Sequence, residues 1–234
     1  MQLFYSEDIT ELNTEFSFNK EESKHISKVL RKKTGDVLNI TNGKGWLFSA
    51  EIVQTNIKQC SVKITSKKLQ TPLAYRLHLA VAPTKINDRF EWFLEKATEI
   101  GITDITPIIC ENSERKIIKP LRFEKIIQSA MKQSLQCYLP KLHPAITFKQ
   151  FMQQDISGQL FIAHCEDTDK TSLKSQLIAK QNVTILIGPE GDFSPHEIKM
   201  ATTHFKPVTL GKTRLRTETA AMVACHTVAL TNTL

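Results

Sequence analysis

The sequence lacks the marks of several common protein classes. No apolar run approaches the roughly 20 residues that a membrane span needs, and the first residues, MQLFYSEDITEL, have neither the basic start nor the apolar middle of a signal peptide. The five cysteines are scattered and never spaced as C-x-x-C, which argues against both a disulfide framework and a zinc site. We therefore expect a cytoplasmic protein with free thiols, no membrane partner and no metal.

Two phosphate-binding signatures are also absent. The dinucleotide fingerprint G-x-G-x-x-G does not occur in the chain. The stretch LGKT at Leu210–Thr213 is not a P-loop, because the glycine required five residues before Gly211 is replaced by Lys206. Both nucleotide-phosphate interpretations are excluded.

Basic residues outnumber acidic ones. Lys and Arg number 31 against 24 Asp and Glu, which gives a net charge of +7. This balance favours a polyanionic partner, since each neutralised phosphate releases counterions, but it is also common in proteins that bind no nucleic acid. The densest cluster is SKHISKVLRKK, from Ser23 to Lys33, and a solvated helix face is its ordinary alternative.

The pattern of secondary-structure signals in the sequence changes near Pro72. Residues 1–70 combine a short helical stretch, near Lys20 to Leu30, with β-branched and aromatic runs between Gly and Asn turns, which predicts a small β-rich domain. Residues 73–234 alternate strand and helix signals. Such alternation, with strands apolar enough to be covered on both faces, indicates an α/β domain with a mostly parallel sheet.

Helix boundaries can be predicted at several points of the second domain. Asp88 and Glu91 have the spacing of a capping box, and Gly101 ends the same helix. A second helix opens with Pro120. A third begins at Ser194, which is followed by a first-turn proline and an acid three residues on.

The stretch LIGPEGDFSP, residues 186–195, joins a strand to that third helix. Its glycines and proline keep the backbone free of bulk, so a flat ligand could lie against it. In open α/β sheets, ligands bind beyond the carboxyl ends of strands, which is where this loop lies. A plain strand-to-helix turn is the alternative.

A second unusual segment, TLGKTRLRTETAAMVACHTVAL, follows a short strand. A basic stretch leads into a final helix that starts around Thr217 and carries the small residues Ala220, Ala221 and Ala224. Small residues allow close packing against another helix or a second subunit. Arg216, just before the helix, is a candidate for contacting an acidic group.

These two segments, about twenty residues apart, resemble the paired C-terminal motifs of the SPOUT methyltransferases, and more closely those of the RsmE family. EKATEIGI around Lys96, QSAMKQS around Gln133, and HISKVLRKKTGD and TNGKGWLFSAEI in the first domain are similar to that family in order and spacing. The resemblance covers nearly the whole chain.

The resemblance implies an N-terminal PUA-like β-barrel and a C-terminal SPOUT α/β domain with a deep trefoil knot. It implies S-adenosylmethionine as cofactor, a homodimer, and methylation of N3 of a uridine in 16S ribosomal RNA, in helix 44 of the decoding region of the 30S subunit. Carried over onto this sequence, the cofactor-binding residues are Ile187, Gly188, Pro189, Glu190, Gly191, Leu210, Gly211, Leu215, Arg216 and Thr219. Main-chain groups of the loop would then hydrogen-bond the adenine edge.

The chain departs from the family pattern at a few positions. Lys132 and Gln136 stand where the family has a glutamate and an arginine, and Thr213 takes the place of the first arginine of LGxRILRxETA, with Arg214 one place later. These differences bear on RNA contacts more than on the cofactor site.

Methyl transfer to uracil N3 needs the acceptor nitrogen, the methyl carbon and the sulfur in line, and a group that accepts the N3 proton. We expect Arg216 to stabilise developing charge or grip a phosphate, and Glu218 or Glu190 to help move the proton. The alternative for Glu218 is that it caps the last helix with Thr217.

RNA would lie on a basic surface that draws on both domains. Phosphate contacts would fix the register, while the uracil is read in the pocket after it is splayed out of its helix. The residues proposed for this surface are Lys28, Arg31, Lys32 and Lys33, with Arg89, Arg115 and Arg122.

Two other functions compete with this one. A different SPOUT specificity, such as 2′-O-ribose or guanine N1 methylation of transfer RNA, is the nearest enzyme, and the long PUA-like N-terminus counts against it. A non-enzymatic RNA-binding or ribosome-assembly protein is the alternative from another class, and the intact GPEG and RTETA segments count against that.

Overall fold

The computed structural model describes residues 2–233, which form two compact units. The first unit extends to Pro72 and also includes Met131–Leu139. The second comprises Leu73–Ala130 and the chain from Pro140 onward. The division of the sequence into 1–70 and 73–234 does not include this return of the chain to the first unit.

The first unit contains one five-stranded sheet, as its β-rich sequence predicts. Its strands are β1 (Leu3–Tyr5), β2 (Glu15–Ser17), β3 (Val37–Thr41), β4 (Trp46–Thr55) and β5 (Cys60–Leu69). The order is β1-β3-β4-β5-β2, with β1 and β3 parallel and the other pairs antiparallel.

One short helix covers the core of this sheet. Helix α1 (Lys20–Lys24) starts at Asn19, whose side chain accepts a hydrogen bond from the Glu22 amide, and continues as a π-helical turn over His25–Val29. Ile26 of that turn is fully buried with the apolar residues of the strands. The helix predicted near Lys20 to Leu30 is therefore confirmed.

The returning segment Met131–Leu139 is held on the turn between β3 and β4. The amide of Gly45 donates to the carbonyl of Cys137 at 2.8 Å, and the Leu139 amide donates to the carbonyl of Gly43 at 2.9 Å. Gly45 has a φ of +96°, and a Cβ there would lie 2.4 Å from the Tyr138 ring. The positive φ favours glycine, and a Cβ at this position would require the Tyr138 ring to move.

The second unit is built on an all-parallel sheet, which confirms the α/β prediction. The sheet has the order β11-β13-β10-β12-β6-β7-β8, and β9 also pairs with β7. Its strands are β6 (Leu77–Val81), β7 (Asp104–Ile109), β8 (Lys141–Leu142), β9 (Ile146–Thr147), β10 (Gln159–Ala163), β11 (Thr171–Ser172), β12 (Val183–Ile187) and β13 (Lys206–Thr209).

Helices accompany these strands in the sequence. They are α2 (Asn87–Ile100), α3 (Pro120–Gln133), α4 (Phe148–Met152), α5 (Leu173–Gln176), α6 (Pro195–Ala201) and α7 (Thr217–Thr233). Every residue of β12 is buried, as expected for a strand covered on both faces. The final helix α7 packs against α2 and the strands β6 and β12, with Ala221 and Ala224 buried. Among residues 2–233, no helix has the length and apolarity to cross a membrane.

The predicted helix ends are correct except for one. Gly101 ends α2 with a left-handed φ of +111°, and Ser194 and Glu197 make both hydrogen bonds of a capping box at the start of α6. The capping box predicted for Asp88 and Glu91 is wrong, because α2 starts earlier, with Ile86 as its N-cap residue. Glu91 instead forms an ion pair with Arg122 of α3.

Candidate functional site

Three neighbouring strands end at one edge of the parallel sheet. Strand β10 lies between β13 and β12, so the loops that follow Ala163, Ile187 and Thr209 emerge side by side. This is the edge at which open parallel sheets bind ligands. The loop LIGPEGDFSP and the basic stretch before α7 are two of the three loops.

Two adjoining cavities lie among these loops. The first cavity, of about 420 Å³, is lined mainly by His164, Cys165 and Lys170 after β10 and by residues 208–215. The second cavity, of about 280 Å³, is lined mainly by residues 187–190 and 214–217. Both share Ala163, Cys165, Arg214, Leu215 and Ala220.

Most of the residues predicted to bind a cofactor line these cavities. The structure brings eight of them together on the cavity walls: Ile187, Gly188, Pro189, Glu190, Leu210, Gly211, Leu215 and Arg216. Gly191 and Thr219 line neither cavity. Gly191 lies against Asn112, whose side-chain amide donates to the carbonyl of Gly191 at 3.2 Å.

The glycines of the GPEG loop pack closely against their neighbours. A Cβ at Gly188 would lie 3.0 Å from the Phe193 ring, and one at Gly191 would lie 3.2 Å from Cβ of Asn112. Both distances are tighter than ordinary contacts between side chains. The carbonyl of Gly188 also accepts a hydrogen bond from the Thr217 hydroxyl at 3.0 Å, so the loop is tied to the start of α7.

Asp192 joins the loop after β12 to the loop after β10. Its φ of +63° is left-handed, a conformation that aspartate tolerates better than most residues. Its carboxylate accepts from the amide of Cys165 at 2.6 Å and from the amide of Phe193 at 2.8 Å. Sequence analysis missed this residue, although its position directly after G-P-E-G is where a turn-stabilising carboxylate would occur.

Glu190 is fixed by one carboxylate oxygen only. Its Oε1 atom accepts from the amide of Lys85 at 2.9 Å. Its Oε2 atom is buried and has no hydrogen-bond partner in the described part of the chain. Arg115 holds the same loop before α2 by donating to the carbonyls of Thr84 and Lys85 at 2.9 and 2.8 Å.

Glu218 has a similar arrangement. It is only 8% exposed, and its Oε1 atom lies 3.8 Å from Nε of Arg89. Its Oε2 atom is buried without a hydrogen-bond partner within residues 2–233. The Thr217 hydroxyl, proposed as the other member of a helix cap, donates to the carbonyl of Gly188. Glu190 and Glu218 therefore each keep one oxygen with spare capacity to accept a proton or a hydrogen bond.

His164 is a polar residue of the first cavity that sequence analysis did not identify. It is 7% exposed and follows the last residue of β10. Burial lowers its pKa, as does the nearby Lys170, while Asp192 and Glu166 act in the opposite direction. The imidazole is therefore neutral at physiological pH. A polar residue at the carboxyl end of the apolar run GQLFIAHC, residues 158–165, was the signal that could have found it.

The residues proposed for RNA binding are distributed over both units. In the first unit, Lys28 and Arg31 are exposed and Lys32 is partly buried, close together in sequence after α1. In the second unit, Arg89, Arg115 and Arg122 bond to Glu218, to two backbone carbonyls and to Glu91, respectively. Arg122 nevertheless keeps more than half of its side chain exposed.

Comparison with known proteins places the chain among RNA-modifying enzymes. A model of the RNA methyltransferase domain matches residues 70–229, and a model of the RNA methyltransferase PUA domain matches residues 18–65. The curated relatives include proteins named Ribosomal RNA small subunit methyltransferase E. The one from Buchnera aphidicola subsp. Acyrthosiphon pisum is 34% identical and aligns over 94% of this chain and 89% of its own length. The one from Rickettsia conorii is 29% identical over 88% and 85%.

Solved structures with the same fold cover almost the whole chain. A protein of Porphyromonas gingivalis described as an rRNA-methyltransferase has a TM-score of 0.92 and 39% identity, covering 100% of this chain and 99% of its own. A protein of Legionella pneumophila described as a methyltransferase, with the cofactor SAM bound, has a TM-score of 0.88 and 28% identity over 98% and 97% of the two chains.

Proposed function

Because the chain belongs to the ribosomal RNA small subunit methyltransferase E family, we propose that it transfers a methyl group from S-adenosylmethionine to N3 of a uridine in 16S ribosomal RNA. The acceptor is assigned to helix 44 in the decoding region of the 30S subunit. The observation that carries the proposal is the pair of adjoining cavities, whose walls contain both C-terminal motifs.

The cavity walls fit the cofactor. The backbone of residues 187–190 and of 210–215 would hold the adenine, since glycine and proline leave room for a flat ring and main-chain groups can bond its edge. Glu190 lines the second cavity, and its Oε2 atom, which has no hydrogen-bond partner among the described residues, adds polar capacity there. When bound, S-adenosylmethionine supplies a methyl group made electrophilic by its sulfonium.

The chain's own residues would align the uracil and manage its proton. Uracil N3 carries a proton at neutral pH, so a base must accept it or a cation must stabilise the anion as it forms. We assign the first task to Glu218, with Glu190 as the other carboxylate placed to perform it. We assign the second task to the exposed Arg216, which lines the second cavity.

We also propose that the C-terminal part of the chain forms a trefoil knot. Membership of the family supports this proposal. A homodimer in the cytoplasm completes the assignment, and sedimentation equilibrium of the purified protein tests the dimer.

RNA binding is assigned to the basic residues named above. Reversing the charge of Arg31 and Lys32 together should weaken RNA binding and reduce the slope of log K against log salt by roughly two, one for each lost phosphate contact. Cofactor affinity should not change. Reversing Lys199 and Lys206, two exposed lysines of the second unit, is the control with the same charge change.

The proposal is tested by measuring transfer of labelled methyl groups. The purified protein is incubated with labelled S-adenosylmethionine and, separately, with 30S subunits, free 16S RNA and transfer RNA that lack their methylations. Label on the small subunit or its RNA supports the proposal. Label on transfer RNA alone would assign the chain a different specificity, and no label together with no cofactor binding would favour an assembly protein.

A further inference from the structure

His164 is a buried residue whose ring carries two polar nitrogens. Neither Nδ1 nor Nε2 has a hydrogen-bond partner among the described residues, although the residue is only 7% exposed. Buried polar groups are paired in the large majority of cases, and one left unpaired costs free energy. Two such atoms on one ring therefore require an explanation.

The charged neighbours of the ring are already bonded elsewhere. The ammonium of Lys170 donates to the backbone carbonyls of His164 and Glu166. The carboxylate of Asp192 accepts from the amides of Cys165 and Phe193. These bonds fix the loop around the imidazole, but none of them is made to a ring nitrogen of His164. His164 is nevertheless one of the residues that line the first cavity, so a molecule bound there would lie beside it.

We propose that His164 is a cofactor-binding residue, whose imidazole hydrogen-bonds a ribose hydroxyl of S-adenosylmethionine in the first cavity. The inference rests on the proposed function, because it assigns one residue to one part of the cofactor.

The chemistry of the ring selects this part of the cofactor. A neutral imidazole has one N–H donor and one acceptor nitrogen, and a hydroxyl can both donate and accept. The adjacent hydroxyls of a ribose match such a ring. A carboxylate would be matched better by cations, and Lys212 and Arg214 line the same cavity. We therefore expect residues other than His164 to bind the charged amino-acid end of the cofactor.

The test compares ligands that differ by a single hydroxyl. Isothermal titration calorimetry measures S-adenosylmethionine, adenosine, 2′-deoxyadenosine and 3′-deoxyadenosine binding to the wild-type protein and to His164→Phe, which keeps an aromatic ring without its nitrogens. The wild-type protein should bind at least one deoxynucleoside roughly tenfold more weakly than adenosine, the size of one lost hydrogen bond at a buried site. His164→Phe should bind adenosine and that deoxynucleoside equally, and should bind S-adenosylmethionine roughly tenfold more weakly than the wild type.

Two further variants separate binding from folding. His204→Phe makes the same change on an exposed histidine and should leave all affinities unchanged. His164→Asn keeps a donor and an acceptor and should retain most of the discrimination between hydroxyl and hydrogen. If His164→Phe does not fold, two measurements still test the proposal. They are the affinities of His164→Asn and the comparison of adenosine with its deoxynucleosides on the wild-type protein.

A second readout uses Cys165, which is exposed and lines both cavities, whereas the other four cysteines are buried. S-adenosylmethionine should slow alkylation of Cys165 in the wild type and in His204→Phe, but not in His164→Phe at the same cofactor concentration. If the wild type binds S-adenosylmethionine and His164→Phe binds all four ligands as the wild type does, the inference is overturned. If the wild type does not bind S-adenosylmethionine, the proposed function itself fails.

Discussion

The hydroxyl of Thr217 donates a hydrogen bond to the carbonyl oxygen of Gly188, 29 residues earlier in the chain, at 3.0 Å. Both residues are buried. The bond joins the two segments that form the second cavity, so the geometry of the cavity depends on it.

Removing this bond should affect both stability and cofactor binding. Thr217→Val keeps the shape of the side chain but leaves the carbonyl of Gly188 unpaired, at a cost of about 1–3 kcal/mol in the free energy of unfolding. Urea denaturation measures this loss, and calorimetry should show weaker binding of S-adenosylmethionine. Thr217→Ser retains the hydroxyl and is the control. Equal stability and equal affinity in Thr217→Val would show that the bond contributes nothing.

Glu218 is expected to act on the proton and not on cofactor binding. Glu218→Gln should lower the single-turnover rate of methyl transfer by roughly 100-fold, the usual contribution of a general base. The affinity for S-adenosylmethionine should stay near the wild-type value. Higher pH should recover part of the rate, because the uracil then loses its proton to solvent.

Glu190→Gln and Glu114→Gln complete that experiment. Glu114 is exposed and pairs with Lys85, so it serves as the control. An unchanged single-turnover rate in Glu218→Gln would remove Glu218 from the mechanism, and a slow Glu190→Gln would then assign the role to Glu190.

Gly45 and Gly35 provide a matched pair for testing how Met131–Leu139 is held. Both have a positive φ, so alanine is strained at either position. A Cβ at Gly45 would overlap the Tyr138 ring, whereas at Gly35 it meets nothing within 4 Å. Gly45→Ala should therefore lower the free energy of unfolding by at least about 1 kcal/mol more than Gly35→Ala does. Equal losses in chemical denaturation would show that the Tyr138 contact is not needed.

The second unit should lose stability in mild acid because of a polar cluster around Asp104. Burial alone would raise the pKa of Asp104, but hydrogen bonds from His143 and Arg76 hold it below its ordinary value. Burial also lowers the pKa of His78 to about 4, although Asp104 opposes this effect. The unfolded chain therefore binds more protons than the folded protein as the pH falls.

The directions of these two pKa shifts determine how stability changes with pH. The contribution of His78 is fully present above its unfolded pKa of about 6.5 and is lost as the pH falls towards about 4. The contribution of Asp104 is lost at lower pH, as the pH falls through its folded pKa. Urea denaturation should show a loss of about 2 kcal/mol between pH 6.5 and pH 4.5, with a smaller loss in His78→Asn. Stability that does not change over this range would contradict the assignment.

The elements that sequence analysis predicted well are those with strong local signals. The apolar run of β12 and the reciprocal cap at Ser194 and Glu197 appear in the structure as expected. The wrong cap at Asp88 shows the limit of such signals. Its spacing was correct, but Glu91 pairs with Arg122, 31 residues away, and α2 begins at Asn87, one residue before Asp88.

The residues missed by sequence analysis depend on contacts distant in the chain. The place of Met131–Leu139 in the first unit is set by bonds to Gly43 and Gly45, roughly ninety residues earlier. Asp192 was missed because its partner, the amide of Cys165, belongs to another loop. No local sequence pattern predicts either pairing. The GPEG loop and the segment LGKTRLRTETA, by contrast, could be recognised from the sequence, and their residues meet around the two cavities.

The identity of the methylated nucleoside tests the proposed uridine N3 methylation most directly. After reaction with S-adenosylmethionine, 16S RNA from treated 30S subunits is digested to nucleosides and analysed by mass spectrometry, and nuclease fragments locate the modified position. We expect 3-methyluridine at a single position within helix 44. A ribose-methylated nucleoside or a methylated guanine in its place would contradict it.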